Sequence, residues 1–147
     1  MTYPLRPYQQ AAHDAVIDWV KTCLDPCLVE AATGSGKSLL VAAIAASIHA
    51  MSGKKILCIA PSSELVEQNF EKYLVTGEKA SIFSASLGKK DMRHNVIFGT
   101  PGTISNQVRK FGKKFAAVVI DEAHGVTPTL MKIVDHMRSQ NPKLRVI

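Results

Sequence analysis

Hydrophobic positions along the chain follow two alternating patterns, a helical spacing and short continuous apolar runs. The helical spacing predicts helices over residues 11–24, 38–53, 62–75, 103–111 and 127–141. The apolar runs predict strands over residues 27–32, 54–61, 80–85, 95–100, 115–122 and 143–147. Strands that alternate with helices indicate a parallel sheet covered on both faces, so we expect a three-layer α/β/α domain.

Composition narrows the class of protein without deciding its function. The 147 residues are enough for one domain, and 46% hydrophobic with 20% charged residues is ordinary for a globular protein. No apolar stretch is long enough to span a bilayer and no signal peptide is evident, so we expect a cytoplasmic protein without a membrane partner. The net charge of +6 favours polyanions such as nucleic acid, but solvated lysines in loops and at helix ends explain it equally well.

A glycine-rich turn, "AATGSGKS" at residues 31–38, joins the first predicted strand to the second predicted helix. It matches the phosphate-loop pattern G-x4-G-K-[ST], except that Ala31 replaces the first glycine. Glycines allow consecutive backbone N–H groups to point at phosphate oxygens, Lys37 would reach the β- and γ-phosphates, and the Ser38 hydroxyl would ligate Mg²⁺. The predicted phosphate-binding residues are Thr33, Gly34, Ser35, Gly36, Lys37 and Ser38.

A second acidic element follows the fifth predicted strand, in "FAAVVIDEAH". Asp121 and Glu122 come where the apolar run meets solvent. Asp121 would hold Mg²⁺, and Glu122 is placed to orient and deprotonate the attacking water. Together with Lys37, this pair predicts a nucleoside triphosphatase site that uses ATP and Mg²⁺.

Three stretches, in the order expected for the family, give the chain a resemblance to the DEAD/DEAH-type helicases of superfamily two. "DEAH" at residues 121–124 resembles the motif that names them, and "AATGSGKS" resembles motif I. "LRPYQQ" at residues 5–10 is similar to the N-terminal glutamine motif, which implies that Gln9 reads the adenine edge and Arg6 braces the base. The resemblance also implies that His124 couples the γ-phosphate site to motif III.

Two further stretches resemble the family's nucleic-acid contacts. "APSSELVEQ" at residues 60–68 resembles motif Ia and "GTPGTI" at residues 99–104 resembles motif Ib. The implied contact residues are Ser62, Ser63, Thr100 and Thr103. The arginines usual in RNA-directed members are absent from both stretches, so we expect DNA rather than RNA as the partner.

Within the superfamily, "LRPYQQ", "ELVEQN" and "VIFGT" are most similar to a bacterial RadD-like branch of DNA-repair proteins related to restriction-enzyme motor subunits. The family has a second RecA-like domain with an arginine finger, which is not found in residues 1–147. We therefore interpret the chain as the first RecA-like domain of a helicase or translocase, ending before motif III and of low activity alone. Two alternatives stay open: a nucleotide- and nucleic-acid-binding module without turnover, and a restriction-enzyme motor.

Overall fold

The computed structural model describes residues 5–27, 29, 36–121 and 127–147. Among them are five α-helices and six strands. The helices are α1 Pro7–Thr22, α2 Lys37–Ser52, α3 Ser63–Leu74, α4 Pro101–Asn106 and α5 Pro128–Gln140. The strands are β1 Lys55–Ile59, β2 Ala80–Ser84, β3 Lys89–Lys90, β4 Val96–Gly99, β5 Phe115–Ile120 and β6 Arg145–Val146.

The described strands form one sheet in the order β3-β2-β4-β1-β5-β6. Strands β2, β4, β1, β5 and β6 run parallel to their neighbours, and β3 alone pairs antiparallel, with β2. The carboxyl ends of the parallel strands therefore lie together at one edge of the sheet, called the carboxyl edge below. Their amino ends form the opposite, amino edge.

The sheet separates two hydrophobic clusters, because alternate residues of each strand point to opposite faces. In β1, Ile56 and Cys58 pack with α1, α2 and α3, whereas Leu57 and Ile59 pack with α4 and α5. The predicted three-layer α/β/α fold is thus confirmed.

The antiparallel strand β3 extends the predicted parallel sheet by one short strand. It pairs Lys89 with Ser84 and Lys90 with Phe83. Two charged residues carry neither an apolar run nor an alternation, so the hydrophobic pattern did not indicate a strand there.

Two helix boundaries also differ from the prediction. Helix α1 begins at Pro7 rather than residue 11, because proline suits the first helical position and the Gln9 side chain accepts a hydrogen bond from the Arg6 backbone N–H. Helix α4 begins at Pro101 and ends at Asn106, followed by a short 3₁₀ turn over Val108–Lys110. That turn brings the buried Phe111 ring against Phe83 and Phe115.

The strand expected at residues 27–32 lies mostly outside the described residues. Within the described part, the Cys27 N–H donates to the carbonyl oxygen of Val146 in β6 at 3.0 Å. In the part of the chain that the structure covers, no helix has both the length and the apolar character needed to cross a membrane.

Candidate active site

Asp121 follows β5 directly and places a carboxylate at the carboxyl edge of the sheet. Its backbone N–H donates to the Ile59 carbonyl at 2.8 Å, which continues the parallel pairing of β5 with β1 to this residue. The residue is only 6% exposed. A buried carboxylate requires a compensating charge or hydrogen bonds, and both are present.

The compensating charge is Lys37, the first residue of α2. Its Nζ lies 3.3 Å from Asp121 Oδ1. Gly36, immediately before it, adopts a left-handed backbone with φ of 78° and forms the N-cap of α2. The two predicted motifs, distant in sequence, therefore meet at the start of one helix and the end of one central strand.

A residue that sequence analysis did not select completes this contact. Asn69, on α3, donates from Nδ2 to Asp121 Oδ2 at 3.0 Å, and the bond is buried. Asn69 lies on the buried face of α3 with Val66 and Tyr73. A polar residue at an apolar position of a helical pattern is the signal that could have revealed it.

The charge of Asp121 also acts on a neighbouring thiol. Burial raises the pKa of Cys58 above its ordinary value, and the Asp121 carboxylate raises it further. Cys58 is therefore kept as a neutral thiol beneath the site and is not a nucleophile.

Gln9 links the start of α1 to the start of α2. It is buried, its Oε1 accepts from the Arg6 N–H at 2.8 Å, and its Nε2 donates to the Gly36 carbonyl at 2.9 Å. A Cβ at Gly36 would collide with the Gln9 amide, so glycine is needed there for space as well as for its positive φ. The structure therefore brings Arg6 and Gln9 beside the end of the phosphate loop.

The predicted nucleic-acid contacts lie at the same edge but differ in exposure. Ser62 is exposed and caps α3, with its Oγ accepting from Leu65 N–H at 3.3 Å; Ser63 follows it, half-buried. Thr100 is half-buried and is the N-cap residue of α4, with no hydrogen bond from its side chain to the start of the helix. Thr103 is buried, and its Oγ1 accepts from the Ala85 N–H at 3.0 Å. Thr103 therefore has a role in holding the turn that follows β2 to α4, and its contact with nucleic acid stays a prediction.

One family model matches residues 2–145, and its description is "Type III restriction enzyme, res subunit". The chain belongs to this family. No curated protein matches the chain.

Solved structures similar to this res-subunit domain are helicase-type motors. The UvsW helicase of bacteriophage T4 aligns with a TM-score of 0.76 and 20% identity over 96% of this chain and 50% of UvsW. The Sulfolobus solfataricus SWI2/SNF2 ATPase core, solved with dsDNA, aligns with a TM-score of 0.75 and 22% identity over 99% of this chain and 32% of that one. The Pyrococcus furiosus Hef helicase domain aligns with a TM-score of 0.72 and 26% identity over 97% of this chain and 32% of that one.

The family and the shared fold confirm the resemblance to superfamily-two helicases. The chain is a helicase-family ATPase motor domain with the fold of their first RecA-like domain. It spans half or less of the length of each of these three solved structures.

Several predicted site residues of this res-subunit domain lie outside the described residues. They are Thr33, Gly34 and Ser35 of the phosphate loop, with Glu122 and His124 after β5. Their assignments as phosphate ligands, water-activating base and coupling residue stay predictions.

The residues that are described fit a magnesium ion. Asp121 Oδ1 is buried and, among the described residues, accepts no hydrogen bond, although Lys37 Nζ lies near it. Ser38, the predicted hydroxyl ligand, is the second residue of α2 and directly follows Lys37. Carboxylate and hydroxyl oxygens are hard donors of the kind that Mg²⁺ prefers.

Proposed function

We propose that this chain is the first motor domain of an ATP-dependent DNA helicase or translocase, which binds ATP–Mg²⁺ and hydrolyses ATP. Gln9 and Arg6 bind the adenine end. The phosphate loop, Thr33 to Ser38, binds the phosphates. Asp121 with Ser38 holds the ion, Glu122 activates water, and His124 couples the site to the rest of the motor.

The observation that supports this most is the 3.3 Å contact between Lys37 Nζ and Asp121 Oδ1. It joins the two motifs that a nucleoside triphosphatase requires, and it does so at the carboxyl edge, where open α/β sheets bind their ligands. Lys37 starts a helix, so a phosphate bound beside it also gains from the N-terminal partial charge of α2.

The ion pair indicates what changes when nucleotide binds. The Lys37 side chain is 25% exposed and can turn from Asp121 toward a phosphate, whereas the Asp121 side chain, only 3% exposed, is held in place. Loss of that pairing exposes Asp121 Oδ1 to a divalent cation. Mg²⁺, when bound there, would neutralise part of the negative charge of the phosphates.

DNA is the proposed nucleic acid, contacted by Ser62, Ser63, Thr100 and Thr103 through hydroxyl and backbone N–H groups. The solved SWI2/SNF2 neighbour binds dsDNA, which supports this choice. We propose DNA repair as the process from the RadD-like stretches "LRPYQQ" and "ELVEQN". The alternative is a restriction-enzyme motor, which the family description favours.

A second RecA-like domain is the proposed partner of this one, since the match covers only 50% and 32% of two of the similar solved chains. An arginine finger from such a domain contributes on the order of 10³–10⁵ in rate in phosphoryl transfer. The chain alone is therefore expected to bind ATP and to turn it over slowly.

The test measures binding of a fluorescent ATP analogue in Mg²⁺, with hydrolysis assayed in parallel with and without single-stranded DNA. Lys37→Ala should lose binding by at least tenfold. Lys21→Ala removes a lysine at the far end of α1 and should bind normally. Equal binding by wild type and Lys37→Ala would refute the assignment.

Glu122→Gln separates a motor from a binding module. A motor keeps ATP binding and loses its remaining turnover, because the amide cannot accept the water's proton. A module without turnover behaves identically with either residue. Replacement of the DNA by RNA of the same sequence tests the choice of nucleic acid.

A further inference from the structure

The carboxylate that we assign to Mg²⁺ has a buried neighbour with no assigned function. Asn69 is 1% exposed and Asp121 is 6% exposed. Their side chains join α3 to the end of β5 through one bond of 3.0 Å between Nδ2 and Oδ2. No solvent reaches this bond, so it is stronger than the same bond at the surface.

The orientation of the Asn69 amide is determined by chemistry. An ionised carboxylate only accepts hydrogen bonds, so the NH₂ group must face Asp121 and the amide oxygen must point away. In that position Asn69 Oδ1 is buried and has no donor among the described residues. A buried acceptor without a partner destabilises the fold, and an apolar side chain at this point of α3 would avoid that loss.

We propose that Asn69 is a positioning residue for the metal-binding carboxylate. Its Nδ2 engages Asp121 Oδ2 and leaves Oδ1 as the oxygen available to Lys37 and to Mg²⁺. The inference rests on the proposed function, because it takes Asp121 as a ligand of the ion.

Removal of the amide should loosen the carboxylate. Without the bond to Oδ2, Asp121 can rotate about its side chain, and both oxygens become free to pair with Lys37 Nζ. Mg²⁺ would then have to displace a Lys37 ammonium group that pairs with both oxygens of Asp121. Partners that orient a metal ligand typically contribute 10–100-fold in metal affinity, and we expect a loss in this range.

The experiment titrates Mg²⁺ into the chain with a non-hydrolysable fluorescent ATP analogue and compares Asn69→Ala and Asn69→Leu with wild type. The Mg²⁺ midpoint should rise 10–100-fold in both variants, while analogue binding without Mg²⁺ stays within twofold. Asn69→Leu fills the same space without a donor, so a cavity cannot explain a shift that both variants share.

Tyr73→Phe is the matched control, since Tyr73 is buried on the same face of α3 and also loses one polar group. Its Mg²⁺ midpoint should equal that of wild type. In an Asp121→Asn background, Asn69→Ala should cause no further change, because the carboxylate that it positions is gone.

Three results are decisive. If wild type binds the analogue without any dependence on Mg²⁺, the proposed function fails. If wild type depends on Mg²⁺ and both Asn69 variants match it, only the role of Asn69 is refuted. The third result comes from ¹⁵N NMR of the Asn69 side-chain amide in the wild-type chain, a measurement that needs no variant to fold. The amide resonance should shift when Mg²⁺ is added to the complex with the analogue. A resonance that does not shift overturns the inference.

Discussion

Two sets of polar side chains, one at each edge of the sheet, are paired in different ways. At the amino edge, two long cationic side chains donate to backbone carbonyls. Lys55 Nζ donates to the carbonyls of Met92 and His94 at 3.0 Å each, and Arg145 Nε donates to that of Val20 at 2.7 Å. At the carboxyl edge, polar side chains face each other, as Lys37, Asp121 and Asn69 do.

This difference separates groups that maintain the fold from groups that are available for chemistry. A donor on a carbonyl satisfies a backbone group that would otherwise be unpaired. At the carboxyl edge, Asn69 Oδ1 and Asp121 Oδ1 are buried and accept no hydrogen bond within the described part of the chain. A third buried atom of this kind, His136 Nε2, lies on α5, but the two at the carboxyl edge lie side by side where a ligand is expected to bind.

The largest effect should come from Asp121→Asn at the carboxyl edge. We expect hydrolysis to fall on the order of 10²–10³-fold, because a preorganised charge is lost from the site. The free energy of unfolding should change by less than about 1 kcal/mol, because the Lys37 side chain is 25% exposed and can turn to solvent, so its charge is not left buried and unpaired. Turnover and chemical denaturation of the same preparation measure both.

A parallel loss of folding in Asp121→Asn would break the comparison, because this edge would then maintain the fold as well. Glu67→Gln, an exposed change on α3, serves as the control for a carboxylate away from the contact.

Lys55→Met tests the amino edge, with an intermediate effect. The carbonyls of Met92 and His94 lose the donor that they share. Hydrogen bonds to charged groups contribute about 1.5–3 kcal/mol, so we expect the free energy of unfolding to fall by about 2 kcal/mol. ATP binding by the folded fraction should not change. The denaturant midpoint measures the loss of stability, and binding of the fluorescent ATP analogue measures whether the site is unchanged.

Lys114→Met is the matched control for Lys55→Met. Burial lowers the pKa of Lys55, and the charge of Lys114 lowers it further. Removal of Lys114 should therefore leave stability unchanged or slightly raised. A destabilisation equal to that of Lys55→Met would mean that charge, and not the two carbonyl bonds, accounts for the effect.

The smallest effect should come from Asp91→Asn, also near the amino edge. Hydrogen bonds from Arg93 lower the pKa of Asp91 from 3.8 to about 2. The Arg93 side chain is 82% exposed, so solvent screens the pair and we expect it to contribute little to stability.

The sign of the pH dependence follows from the lowered pKa of Asp91. The stabilisation is present above pH 4 and is lost as the pH falls through about 2. Wild type and Asp91→Asn should thus differ slightly at pH 7 and converge near pH 2. A gap that widens on acidification would contradict the pairing with Arg93.

The sequence predicted the fold class and assigned Lys37 and Asp121 to one candidate site, because short local motifs lie at a strand end and a helix start. Strand order within the sheet makes those ends neighbours. The role of Gln9 was implied by family resemblance, and the structure adds its bond to Gly36.

What could not be predicted depends on contacts between distant elements. The pairing of Asn69 with Asp121 joins residues 52 positions apart and has no local pattern. Strand β3 forms because the chain turns back at Gly88, whose φ is 68°, and pairs with β2; its two lysines have no strand pattern of their own.

Strand β3 also has a consequence for how copies of the chain behave at high concentration. The outermost strand of a sheet offers unpaired backbone groups to a strand of another molecule, and a long apolar outermost strand promotes fibrous aggregation. Here the outermost strand beside β2 is β3, which has only two residues, Lys89 and Lys90, both exposed. A second copy approaching this edge would have to bring the same two cations into contact with them, and the repulsion disfavours edge-to-edge growth on this side of the sheet.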